Sequence, residues 1–184
     1  MGKPMQYDPE KHHRRSIRLK GYDYSQAGWY FVTLCTRNYL QLFGKIEDGV
    51  MMVNEVGQLV AETLQWLPAQ YEYVQLAEWI VMPNHLHAII VIDDSSGDDD
   101  GKGRRGDSRI APTKRKPLGR LIGAFKTVST KRINEMRNIT GVPVWQRNFY
   151  EHIIRDQDGY LKIAEYIQTN PLKWAEDRYY GMDG

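Results

Sequence analysis

The chain has one cysteine in 184 residues. Cys35 therefore has no internal disulfide partner, and stability has to come from a packed core. No apolar run reaches the roughly 20 residues that a membrane span needs, so no membrane partner is expected. The first residues are polar and carry Lys11, His12, His13, Arg14 and Arg15, unlike a secretory signal. A cytoplasmic, nucleoid-associated location is the expectation. A P-loop and a glycine-rich dinucleotide fingerprint are also missing, which argues against chemistry driven by a bound nucleotide.

What is present fits one domain. The hydrophobic fraction of 41% can build a real core. The net charge of +2 is small, but it is unevenly spread. Residues 1–20 hold six Lys and Arg against Asp8 and Glu10, and read as a flexible basic arm. A second basic region includes Arg120, Lys126, Lys131 and Arg137. Clustered cations of this kind suit a phosphate backbone. The domain is expected over residues 21–176, with a tail at 177–184. Residues 93–116 switch from acidic to basic and have little apolar content, so they read as a disordered insertion within the domain.

Aromatic and β-branched residues predict a strand at Trp29–Thr36. Short strands near Phe43–Glu47 and Val50–Val53 flank Asp48-Gly49, a hairpin turn signature. Asn54 can cap a helix from Glu55, which Pro68 should stop. Strands are predicted at Val74–Val81 and after Asn84. A long helix follows Leu118, a strand lies within Trp145–Arg155, and Asp156 caps a last helix to about Thr169. This order suits an α+β fold, an antiparallel sheet with helices mainly on one face.

Within it, Met82-Pro83-Asn84-His85-Leu86-His87 runs into an apolar strand. Alternation puts His85 and His87 on one face, and two neutral imidazoles one pleat apart can grip one metal ion. That face is expected to be the open face of the sheet. On the last helix Lys162, Tyr166 and Asn170 recur at i, i+4 and i+8 and share a side. Tyr160 lies about 120° away around the axis.

The histidine pair, the basic helix, the run from Val144 through Arg155 and Tyr166-Ile167-x-x-Asn170-Pro171 together resemble the single-tyrosine HUH transposases. The closer likeness is to their REP-associated branch, and it spans about Lys20 to Trp174. The resemblance implies a ferredoxin-like α+β fold, Mg²⁺ or Mn²⁺, and cleavage of single-stranded or hairpin DNA. It implies His85 and His87 as metal ligands and Tyr166 as nucleophile. Asn170, or the less well placed Gln168, would complete the metal site. Lys162, Lys126, Lys131, Arg120, Arg14 and Arg15 would meet DNA, and His152 reads as structural. Relatives occur as monomers and as dimers, and the sequence leaves the oligomer open. Two other readings stay open: a catalytically silent nucleic-acid-binding protein, and a hydrolase that activates water at the histidines.

Overall fold

The structure, a computed structural model, describes residues 19, 21–94 and 115–182. The basic arm with Arg14 and Arg15, and most of the insertion, lie outside the described residues. Four antiparallel strands form the main sheet, in the order β4-β5-β1-β6. They are β1 (Gly28–Cys35), β4 (Val74–Val81), β5 (His85–Ile92) and β6 (Tyr150–Ile154). A hairpin of β2 (Gly44–Glu47) and β3 (Val50–Val53) stands apart from it. The helices are α1 (Glu55–Gln70), α2 (Leu118–Met136) and α3 (Gln157–Thr169). Leaving the hairpin aside, the order β1-α1-β4-β5-α2-β6 with this pairing is the ferredoxin-like arrangement.

Alternation along the central strands builds two cores. Val32 and Leu34 of β1, with Leu86, Ala88 and Ile90 of β5, pack against Val60, Leu64 and Leu67 of α1 and Leu121 and Phe125 of α2. Phe31, Ile89 and Ile154 point the other way and meet Ile167 of α3. Two helices thus share one face and the third covers the opposite one. His85 and His87 lie on that opposite face. It is not open, as the pattern suggested: α3 lies over it, and Cys35 and Met82 pack there with Trp174 and Tyr179 from the chain that follows α3.

The local signals explain most boundaries. Asn54 Oδ1 accepts from Gly57 N at 3.0 Å and starts α1. Asp156 Oδ1 accepts from Gly159 N at 2.7 Å and starts α3. Pro68 does not stop α1, which continues to Gln70. It falls in the last turn, where few further bonds depend on it, and Tyr71 N still closes onto Leu67 O at 3.0 Å.

Gly57 ties α1 to the strand linker. A Cβ there would meet the Phe43 carbonyl oxygen at 2.2 Å and Val53 Cβ at 3.1 Å. Alanine favours helix by about 1 kcal/mol over glycine, but overpacking against backbone costs about 1–3 kcal/mol. We expect Gly57→Ala to lower the urea midpoint; an unchanged or higher midpoint would show that the hairpin yields freely.

Candidate active site

Strand pairing sets up the centre. His87 sits opposite Thr33, and His85 opposite Cys35. Both imidazoles are buried, at 0% and 1% exposure. Asn84 Nδ2 donates to the Tyr179 carbonyl at 2.8 Å. Its Oδ1 therefore faces His85 Nδ1 at 2.9 Å, and Nδ1 must carry the proton. That leaves a bare lone pair on His85 Nε2, only 3.0 Å from His87 Nε2.

Two ring nitrogens this close need a positive centre between them, either a proton or a metal ion. Burial holds both imidazoles neutral, His85 down to about 3 with Arg178 adding to the effect, and His87 well below its ordinary value. A proton on His87 Nε2 satisfies the pair without metal. For both Nε2 atoms to bind an ion, that proton must move to His87 Nδ1. Thr33 Oγ1, 2.8 Å from Nδ1, accepts or donates equally well and so suits either state.

The third group comes from the segment expected to be a tail. One ligand atom each from His85, His87 and Asp177 lie within 4.8 Å of one another. The Asp177 carboxylate is held at both oxygens: Asn170 Nδ2 donates to Oδ2 at 3.1 Å, and Tyr179 N to Oδ1 at 2.7 Å. Two imidazoles and a carboxylate fit a divalent ion that takes mixed N/O ligands. Asn170 is buried at 2% exposure, and its Oδ1 has no hydrogen-bond partner among the described residues. Gln168 is exposed on α3.

Tyr166 reaches the centre from α3. Its hydroxyl is 3.2 Å from His87 Nε2, and its ring meets those of His87 and Phe31 edge-on. It remains 41% exposed, so one side is open to an incoming group. Burial first, then Asp177, raise its pKa, while Arg178 and an Asn170 hydrogen bond pull it back. Tyr160 is elsewhere: its hydroxyl donates to Glu78 Oε2. His152 is exposed on β6 and stands apart from the cluster.

The basic residues separate into two kinds. Arg120, Lys131 and Lys162 are exposed, and Lys131 forms an i,i+4 ion pair with Glu135 at 3.7 Å. Lys126 turns inward. Its Nζ donates to the Gln146 and Asn148 carbonyls at 2.9 and 3.0 Å, and burial lowers its pKa to about 8.

Thr33, Asn84, Asp177, Arg178 and Tyr179 were not singled out from the sequence. The one signal for Asp177 was its setting, since Trp174 and Tyr179 are large aromatics that a solvated tail has no use for.

The neutral pair makes stability depend on pH in metal-free buffer. The unfolded histidines take up protons near pH 6.5, whereas the folded ones resist until about pH 3 for His85. Their contribution is therefore present above pH 6.5 and lost as pH falls toward 3, at up to about 1.4 kcal/mol per pH unit for each histidine. Urea midpoints in EDTA should fall across this window, and less so in His85→Gln/His87→Gln. Equal slopes would mean that the pair is not held neutral.

No family model matches the chain. An uncharacterized Haemophilus influenzae protein is 39% identical over 176 residues, which cover 95% of this chain and 97% of that one. A "Putative REP-associated tyrosine transposase" of the same organism is 25% identical over 155 residues, 82% of this chain and 74% of that protein. A solved REP-associated tyrosine transposase, bound to a REP hairpin, superposes with a TM-score of 0.57 at 20% identity, covering 89% of this chain and 77% of that one. In sequence the chain is thus similar to a putative REP-associated tyrosine transposase, and it shares the fold of a solved one.

Proposed function

We propose that this chain cuts and rejoins single-stranded DNA through a covalent bond between Tyr166 and a 5′ phosphate. The observation that carries this is the Tyr166 hydroxyl, half open to solvent, 3.2 Å from His87 Nε2 and beside three convergent metal-ligating groups. Hairpin DNA is the substrate class, by analogy with the solved relative's bound REP hairpin.

His85, His87 and Asp177 would hold Mg²⁺ or Mn²⁺. When bound, such an ion neutralises a non-bridging phosphate oxygen. The chain's own groups do the rest. Asn170 and the Tyr179 amide fix the Asp177 carboxylate, so Asn170 is a positioning residue in this reading and not a ligand. Arg178 favours the phenolate of Tyr166. The Tyr166 oxygen attacks phosphorus, the phenolic proton is lost, and the 3′ oxygen leaves and takes up a proton. The phosphotyrosine retains the energy of the broken bond, so a free 3′-OH can reverse the step and join another strand. Arg120, Lys131 and Lys162 would contact phosphates.

Incubation with hairpin oligonucleotides and Mn²⁺ should give a covalent adduct on denaturing gels, mapped to Tyr166 by mass spectrometry. Tyr166→Phe should bind DNA and form none. Asp177→Asn should lower adduct formation by about 100-fold or more. Asn170→Ala should weaken Mn²⁺ affinity roughly 10–100-fold, the usual cost of losing a group behind a ligand, and recover at high Mn²⁺. Cleavage that survives Tyr166→Phe would make water the nucleophile and the protein a hydrolase. Binding without cleavage in the wild type would leave a silent DNA-binding protein.

Binding should also weaken steeply with salt. Arg120→Ala and Lys131→Ala should each reduce the logarithmic salt slope by about one. Lys126→Ala should lower the melting temperature instead, because its ammonium holds two carbonyls. An unchanged slope in both surface variants would move the DNA path off α2.

A further inference from the structure

A cavity of about 330 Å³ opens beside the centre on the same face of the sheet, at the small end of the range for ligand sites. Cys35, Tyr39, Gln146, Asn148, Tyr150 and Arg178 line it. Its walls are aromatic. The Tyr39 and Tyr179 rings stack at 5.8 Å and 22°. The Arg178 guanidinium stands 4.5 Å from the Tyr179 ring centroid and 5.7 Å from that of Tyr150. The lining holds one cation and no carboxylate, which suits a polyanion's neighbourhood.

Its polar groups come from the loop before β6. That loop is fixed by its backbone, with Gln146 N donating to Cys35 O at 2.9 Å and Lys126 donating to the carbonyls of Gln146 and Asn148. The two carboxamides are therefore carried on a rigid support. Each offers a donor and an acceptor side by side, the pattern that pairs with a base edge. Thr33 also lines the cavity and is hydrogen-bonded to His87 Nδ1. The Tyr150 ring meets Phe31 edge-on, and Phe31 stacks on His87. A base seated here is one residue layer from the reacting centre.

We propose that this cavity takes one unpaired nucleobase of the substrate strand, next to the phosphate that is cut, and reads its edge with Gln146 and Asn148. The site thereby selects the nucleotide beside the cleavage point as well as the hairpin. The proposal rests on the single-strand DNA reading above, and it names a sequence-reading pocket within that site.

The test uses the full chain and a hairpin oligonucleotide library with randomised single-stranded flanks. In EDTA, sequencing of the bound fraction should show one base enriched at one flank position, roughly tenfold or more. Gln146→Ala and Asn148→Ala should flatten that position and leave preferences elsewhere unchanged. Gln146→Glu, which replaces an amide donor by an acceptor, should shift the preference toward cytosine, whose exocyclic amine a carboxylate accepts from. No preference in the wild type, or the same preference in all three variants, would overturn the pocket. Adducts formed in Mn²⁺ should carry the same base beside the cut bond; a preference at a position remote from the cut would also overturn it. Base selection in EDTA without any adduct in Mn²⁺ would sink the cleavage reading and leave the pocket standing.

Discussion

Two imidazole nitrogens 3.0 Å apart in a buried site set the terms for everything around them. Each lone pair repels the other unless something positive lies between. Protonating either ring outright is opposed by burial. The site answers with fixed dipoles: Asn84 orients one ring and Thr33 adapts to the other, while Asp177 brings a carboxylate within 4.8 Å that would favour a cation between them. Asn84 in turn is held by the Tyr179 carbonyl, and Tyr179 also holds Asp177. A single short stretch after α3 thus orients the strand side chains and supplies the carboxylate.

The same constraint accounts for α3. A sheet face bearing two neutral histidines cannot be left to water without losing the low dielectric that keeps them neutral. Ile167 and Ile163 dock the helix on Phe31 and Ile89, and that docking delivers Tyr166 from the adjoining side of the helix. The half-exposed tyrosine is then the gap in the cover. Its pKa is raised by burial and by Asp177 and lowered by Arg178 and Asn170, so its protonation is balanced among groups that a bound phosphate would disturb.

Elements with local signatures were legible in the sequence. Asn54 and Asp156 announce helix starts, Asp48-Gly49 announces the hairpin, and alternation in His85–Ile92 gives both the strand and its two faces. Periodicity showed that His85 and His87 share one face of a strand and that Tyr166 and Asn170 share one side of a helix; the roles expected of them came from the family likeness. Asp177 was not, because irregular chain has no period and its position is set by contacts to Asn170 and Tyr179. Lys126 misled for a related reason. Helical spacing says which side of α2 it occupies, but not that the loop before β6 passes within reach of its ammonium. Pro68 carried a stop signal whose force depends on how near the helix end already was.

The order in which the parts occur along the chain has a consequence for synthesis. Residues through β5 supply the two histidines, Asn84 and Thr33, but the tyrosine, the carboxylate and the backbone carbonyl that orients Asn84 all lie beyond residue 165. A nascent chain on the ribosome, or one cut short before Asp177, holds the histidine pair without that carboxylate or the Tyr179 carbonyl. The centre exists only once these distant pieces have met, so incomplete products of this gene carry no assembled centre.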